Sequence, residues 1–116
     1  MNKTTYLGEL EQMVLLAILR LGEDAYGVTI RQEIEERTGK VSSIGSVYTA
    51  LHRMEKRGLV IARMGESTPE RGGRRKKYYR ITVAGSDALN ASYEALRRMA
   101  EGVALAPQGL PEASDV

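Results

Sequence analysis

The sequence predicts a mainly α (α+β) fold, namely a winged helix-turn-helix with an added C-terminal dimerisation helix. Three observations predict it: three short amphipathic segments with tight turns, two strand-like segments around a glycine-rich basic loop, and a long final segment with apolar residues at helical spacing. The chain has 116 residues, 42% of them hydrophobic, which suffices for one domain with a modest core. We expect the winged helix-turn-helix over residues 1–81, the dimerisation helix over 82–105 and a disordered tail over 106–116.

The first three predicted helices follow from apolar spacing and from capping residues. The first spans Leu7 to Leu21 and is apolar over an unusually wide face. The second begins after Asp24, the predicted N-cap, and ends at Gly39, which suits a left-handed C-cap. The third spans Ile44 to Arg57 after the predicted N-cap Ser43. Its predicted inward stripe consists of Val47, Leu51 and Met54. Short helices of this kind, the third with a polar outer face, are typical of a helix-turn-helix.

A β-hairpin is predicted directly after the third helix. Its strands are 59–64 and 74–81, and residues 65–73 between them have the composition of a loop. Alternation along the second strand predicts that Tyr79 and Ile81 point inward. A hairpin with a basic tip next to a helix-turn-helix is a wing.

The last helix is predicted from Thr82, its N-cap, to Val103. Its apolar residues follow steps of four and three, which is a heptad pattern. Because the winged helix already fills its own core, we expect this stripe and the first helix to pack against a second copy of the chain. The predicted dimer interface comprises Leu7, Leu10, Val14, Leu89, Tyr93, Leu96, Ala100 and Val103.

The net charge of +2 hides a strong asymmetry. The net charge is −3 for residues 1–39, +8 for residues 40–81 and −3 for residues 82–116. The positive charge is therefore confined to the third helix and the hairpin. Such segregation favours a surface that faces a polyanion, and nucleic acid in particular.

Groups that would carry catalysis are scarce. The chain has no cysteine, which excludes disulfides, thiol nucleophiles and Cys-ligated metals, and it has one histidine, His52. We expect His52 to face DNA or solvent. The Gly72-Gly73-Arg74-Arg75 segment lacks the Lys-Ser/Thr of a P-loop. We therefore predict no enzyme activity, no cofactor and no metal. No apolar run suits a membrane span or a signal peptide, so we expect a cytoplasmic protein that does not bind a membrane.

Several segments together resemble the PadR-like transcriptional regulators. They are LGELE at 7–11, VLLAIL at 14–19, AYG at 25–27, GSVYTALHRMEKRGLV at 45–60 and GRRKKYYRITVAG at 73–85. The single helix after the wing resembles the branch of the family with a short C-terminal region. The resemblance implies a homodimeric repressor, joined by its first and last helices and controlled by a small-molecule or stress signal.

The residues and the resemblance together predict a sequence-specific regulator that binds a pseudo-palindromic operator in double-stranded DNA. Base edges would be met by Ser46, Thr49, His52 and Arg53 of the third helix. The DNA backbone would be met by Lys40, Ser43, Lys56 and the wing residues Arg74, Arg75 and Lys76. Tyr48 has two interpretations, a core ring or a hydroxyl that reaches phosphate, and we expect a buried ring with an exposed tip. A small-molecule effector would bind at the dimer seam.

Two other functions are compatible with the sequence. A winged helix can serve as a protein-interaction module that does not read DNA, and its basic block would then meet an acidic protein. A small-molecule binder or enzyme is disfavoured because catalytic groups are lacking. A gel shift with DNA from upstream of its own gene distinguishes the DNA-binding regulator from the protein-interaction module.

Overall fold

The computed structural model describes residues 5–66 and 75–105, which form four helices and one β-hairpin. A single 3-10 turn, Gly22–Asp24, joins the first two helices. The elements in chain order are α1 (Glu9–Leu21), α2 (Gly27–Thr38), α3 (Ile44–Lys56), β1 (Val60–Met64), β2 (Lys77–Ile81) and α4 (Val83–Ala100). Three packed helices followed by a hairpin constitute a winged helix, and α4 is the added C-terminal helix, so the predicted fold is confirmed.

The core lies among α1, α2 and α3 and is closed by the hairpin. Its largest fully buried side chains are Val14, Leu15, Ile30, Val47, Leu51 and Met54. The predicted inward stripe of α3 is therefore confirmed. Tyr79 of β2 is also buried, as predicted, whereas Ile81 is only half-buried.

The hairpin is antiparallel, and its register pairs Val60 with Ile81 and Met64 with Lys77. The first strand begins one residue later than predicted and the second begins three residues later. The segment before α2 extends the sheet, because the backbone N–H of Tyr79 donates to the carbonyl oxygen of Ala25 at 2.9 Å.

Most of the predicted helix caps are confirmed. The hydroxyl oxygens of Ser43 and Thr82 accept hydrogen bonds at 3.0 Å from backbone N–H groups in the first turns of α3 and α4. Gly39 has a φ of 75° at the end of α2, where a left-handed residue was expected.

The prediction that Asp24 caps α2 is wrong. The N-cap is Tyr26, and Asp24 lies in the preceding 3-10 turn. The Thr29 side chain reaches back from the first turn of α2 to the residues before it. Its hydroxyl accepts a hydrogen bond from the N–H of Tyr26 at 3.0 Å and donates one to the carbonyl oxygen of Asp24 at 2.6 Å. The short turn shifts the start of the helix beyond the reach of the Asp24 side chain.

Helix α4 packs on the domain only through its first half. The buried residues of α4 all lie between Gly85 and Ser92. Beyond Ser92 the helix exposes apolar side chains, of which Tyr93 is 61% and Leu96 62% exposed. The helix ends at Ala100 rather than at Val103, since its C-cap Glu101 already has an extended backbone, and Gly102 follows with a φ of 76°.

Several residues of the expected dimer interface belong to the core of the subunit instead. Leu7, Val14 and Leu89 are buried there, and the N–H of Leu7 donates to the buried hydroxyl of Ser92 at 2.9 Å. A side chain that is already covered by its own subunit offers little surface to a partner. The exposed members of the expected interface are Tyr93, Leu96, Ala100 and Val103, and Leu10 is half-buried.

Arg74 and the expected tail over 106–116 lie outside the described residues. Among the helices of the described ranges, none has the length and apolarity that crossing a bilayer requires.

Candidate nucleic-acid interface

The outer face of α3 gathers the polar residues that the sequence assigned to base reading. Because an α-helix repeats every 3.6 residues, burial of Val47, Leu51 and Met54 turns the intervening positions toward solvent. The exposed residues of this outer face are Ser46, Thr49, His52, Arg53 and Lys56. They form one strip of hydroxyl, imidazole and cationic groups along the helix.

At the start of α3 the Ser43 side chain is occupied by capping. Its oxygen accepts from the N–H of Ser46 at 3.0 Å, and its hydroxyl donates to the Ser46 Oγ at 2.9 Å. The loop before it is tied to α2, since Arg31 Nε donates to the carbonyl oxygen of Ser42 at 2.7 Å. The start of α3 is therefore fixed relative to α2.

The cations around α3 fall into paired and unpaired groups. Lys40 forms an ion pair with Glu9, and Arg57 forms one with Glu11, in which Nη1 lies 3.5 Å from Oε2. Within residues 5–66 and 75–105, by contrast, Arg53 and Lys56 make no ion pair. The unpaired cations lie on the outer face of α3, where a phosphate or a base would meet them without displacing a carboxylate.

An acidic border lies on the α1 side of this face. Glu9 and Glu11 line an open cleft between the start of α1 and α3, together with Thr49 and Arg53. The ion pair with Arg57 reduces the repulsion that the Glu11 carboxylate would exert on DNA.

The expectation of a buried Tyr48 ring is wrong. The residue is 47% exposed, and the hydroxyl end of its ring contacts the start of α2. A Cβ at Gly27 would lie 2.5 Å from Tyr48 Cε1 and 2.6 Å from its hydroxyl oxygen. The absence of a side chain at Gly27 therefore makes room for the hydroxyl end of the ring.

The stem of the hairpin contains a stack that the sequence did not indicate. The rings of Tyr26 and Tyr78 meet edge to face, with their centroids 5.3 Å apart. The guanidinium of Arg63 lies 4.7 Å from the Tyr78 ring centroid, and the amino group of Lys76 lies 4.5 Å from that of Tyr26. We call these four residues the tyrosine–cation stack. Strand alternation placed Lys76 and Tyr78 on one face, but nothing local pointed to Tyr26, 50 residues away.

The ammonium groups of the stem are held in their charged form. Lys76 donates to the Tyr26 hydroxyl oxygen at 3.3 Å, and this hydrogen bond raises the pKa of Lys76. Lys77 donates to Glu55 of α3 at 3.1 Å, which raises the pKa of Lys77. Burial raises the pKa of the Tyr79 hydroxyl, which stays neutral. Both lysines are therefore protonated at neutral pH, and each contacts a different helix.

Arg75 is the wing cation nearest to the tip among the described residues. Its Nε donates to the carbonyl oxygen of Gly65 at 2.9 Å, which ties it across the hairpin while the residue stays exposed. The described residues contain no group of three His, Asp or Glu side chains placed to hold a metal ion.

An exposed polar helix beside a hairpin with cations along its stem defines a winged-helix protein of the nucleic-acid-binding type. The family model of the PadR-like transcriptional regulators matches residues 15–91. The chain belongs to the PadR-like family of transcriptional regulators, which confirms the resemblance noted in the sequence.

The chain is also similar to individual proteins, two of which carry the name of a transcriptional regulator. The chain is 34% identical to an uncharacterized protein of Lysinibacillus sphaericus, over 89% of this chain and 92% of that one. It is 32% identical to the transcriptional regulator Rv3488 of Mycobacterium tuberculosis, over 69% and 70% of the two chains. Among solved structures, a PadR-like transcriptional regulator of Bacillus cereus superposes with a TM-score of 0.64 at 27% identity, over 78% and 84% of the two chains.

Proposed function

We propose that the protein is a sequence-specific DNA-binding repressor that acts as a homodimer under the control of a small-molecule or stress signal. The observation that carries the proposal is the outer face of α3, where hydroxyl groups share one exposed strip with cations that make no ion pair within the described residues. A helix of this kind fits the major groove, where donors and acceptors distinguish the four base pairs.

Within this proposal α3 reads bases and the surrounding residues hold the backbone. Ser46, Thr49, His52 and Arg53 meet base edges, and Arg53 has the forked geometry that recognises guanine. The residues assigned to phosphates are Lys40, Ser43, Tyr48 and Lys56, together with Arg74, Arg75 and Lys76 of the wing. Lys40 would exchange Glu9 for a phosphate on binding. Ser43 acts by holding the start of α3 in its capped form.

The exposed second half of α4 supports a homodimer. The last eight residues of α4 contribute no buried side chain to the subunit, and Tyr93, Leu96 and Met99 on them are exposed. Packing of α4 against a second copy would bury these side chains. A two-fold dimer would read half-sites separated by about 34 Å or a multiple of it.

A signal acting at this seam would change DNA binding through geometry. The two copies of α3 must keep a fixed separation to enter both half-sites. A ligand that tilted one α4 against the other would move one copy of α3 out of its groove, and the repressor would lose that half-site.

A gel shift with DNA from upstream of the protein's own gene, followed by footprinting, tests the proposal and yields an operator. On that operator, Arg53→Ala should weaken binding by about 1–3 kcal/mol and relax the preference at one base pair, because a guanidinium contact to a base is lost. Binding to random DNA should weaken far less.

Arg37→Ala is the matched control, because Arg37 is also exposed but lies on α2 outside the proposed contacts, with its Nε paired with Glu33 Oε2 at 2.7 Å. It should leave operator binding unchanged. Equal losses on operator and random DNA for Arg53→Ala would remove the base-reading role of Arg53. No shift with any DNA would favour a protein-interaction module.

A further inference from the structure

We propose that Tyr26 and Lys76 are positioning residues, which dock the wing on the start of α2 and so hold Arg75 at a fixed place relative to α3. The inference rests on the proposed DNA-binding function. It also reassigns Lys76 from a phosphate contact to a brace inside the protein.

The backbone brings the start of α2 and the wing together. Tyr26 and Tyr78 form an isolated antiparallel bridge, and the N–H of Tyr79 donates to the carbonyl oxygen of Ala25 at 2.9 Å. The residue that caps α2 is therefore also the residue that meets β2. Any shift of the wing is transmitted to the helix-turn-helix at this point.

The side chains reinforce the bridge through the tyrosine–cation stack. The edge-to-face rings of Tyr26 and Tyr78 are a favourable aromatic arrangement, and a cation covers each of them. Arg63 approaches Tyr78, while Lys76 approaches Tyr26 and donates to its hydroxyl oxygen at 3.3 Å. The Lys76 amino group thus has two attractive contacts inside the protein before any DNA is present.

The stack is coupled directly to the base of the tip. A Cβ at Gly65 would lie 2.6 Å from Tyr78 Cε1, so the backbone of Gly65 lies against that ring. The N–H of Gly65 donates to the carbonyl oxygen of Lys76 at 2.7 Å, and Arg75 donates to the carbonyl oxygen of Gly65 at 2.9 Å. A change in the position of the Tyr78 ring therefore changes the position of Arg75.

A second brace acts on the opposite face of the strand. Because side chains alternate along a strand, Lys77 points away from Lys76 and donates to Glu55 of α3 at 3.1 Å. The wing is thus fixed to α2 by Lys76 and to α3 by Lys77. Among the described cations of this strand, Arg75 lies toward the tip, whereas Lys76 and Lys77 hold the stem.

The salt dependence of DNA binding distinguishes a brace from a phosphate contact. Tyr26→Leu changes no charge, so any change in the log–log salt slope must come from cations that have moved away from the DNA. If Arg75 of each subunit loses its phosphate, the slope should become shallower by about 2, and binding to operator and random DNA should weaken alike, by about 50-fold at about 0.1 M salt. Tyr26→Phe keeps the ring and should restore most of the affinity.

Lys76→Met and the double variant complete the test as a double-mutant cycle. A brace predicts that Lys76→Met and Tyr26→Leu each make the slope shallower and that the double variant adds little. A phosphate contact predicts a shallower slope for Lys76→Met, an unchanged slope for Tyr26→Leu, and additive losses, and this result would overturn the inference. Tyr6→Leu, at an exposed tyrosine outside the stack, is the control and should leave the slope unchanged.

Two further measurements distinguish failure of the brace from misfolding of a variant and from failure of the proposed function. Thermal unfolding checks that each variant is folded. If Tyr26→Leu does not fold, Tyr78→Leu replaces it, because this change removes the other ring of the stack without altering charge. An unchanged slope for Tyr78→Leu together with a shallower slope for Lys76→Met would then reject the brace. Wild-type protein that binds no DNA would reject the proposed function itself.

Discussion

Leu96→Asp should convert the protein from a dimer to a monomer and weaken operator binding by about 100-fold or more. Leu96 is exposed in the subunit, on the second half of α4, where the described residues from Tyr93 to Ala100 include no buried side chain. A carboxylate there would have to be buried without a partner if the seam formed, and a buried unpaired charge is strongly unfavourable. A monomer contacts one half-site, whereas a dimer binds two linked half-sites at once. This linkage typically raises the overall affinity 10²- to 10⁴-fold.

Sedimentation velocity and a gel shift on the operator measure the two effects. Asn90→Asp is the matched control, since it adds the same charge to the same helix at an exposed position in its first half. It should leave both the dimer and the affinity intact. A Leu96→Asp variant that stays dimeric would place the interface elsewhere.

Leu51→Ala should lower the free energy of unfolding by about 2–5 kcal/mol. Leu51 has no exposed surface and lies on the inner face of α3. Its truncation would leave a cavity under the DNA-reading helix. Urea unfolding followed by circular dichroism measures the change.

Ile61→Ala is the comparison for this effect. Ile61 is exposed on β1, so its loss should cost about 0.5 kcal/mol or less. A similar small loss for Leu51→Ala would show that the inner face of α3 is not packed as the structure has it.

Much of the fold is predictable because the determining patterns are local. The spacing of Val47, Leu51 and Met54 identifies the buried face of α3, and most of the remaining positions of the helix form its exposed face. Ser43 and Thr82 cap helices through backbone groups three residues away. Such interactions need only a short stretch of chain to form, so a short stretch of sequence is enough to indicate them.

The cap of α2 and the expected dimer interface depend on tertiary packing, which local sequence patterns do not predict. Asp24 is a good capping residue, but the 3-10 turn that displaces it depends on how α1 and α2 meet. Leu89 continues the heptad spacing of Leu96, yet it is buried in its own subunit. Spacing identifies an apolar stripe without saying which surface covers each part of it.

The pairings of the candidate site were not predictable for the same reason. Lys40 and Glu9 lie 31 residues apart, and Lys76 and Tyr26 lie 50 residues apart. Charge counting marks both lysines as candidates for phosphate. Only the folded chain shows that each already has a partner, while Arg53 makes no ion pair within the described ranges.

The dependence of operator affinity on salt concentration, measured on the wild-type protein, tests the central claim most directly. A dimer that uses α3 and the wing to neutralise about four phosphates per subunit predicts a log–log slope of about −7. A slope shallower than about −2 would mean that the cations of α3 and the wing do not meet the DNA backbone together, and it would contradict the account.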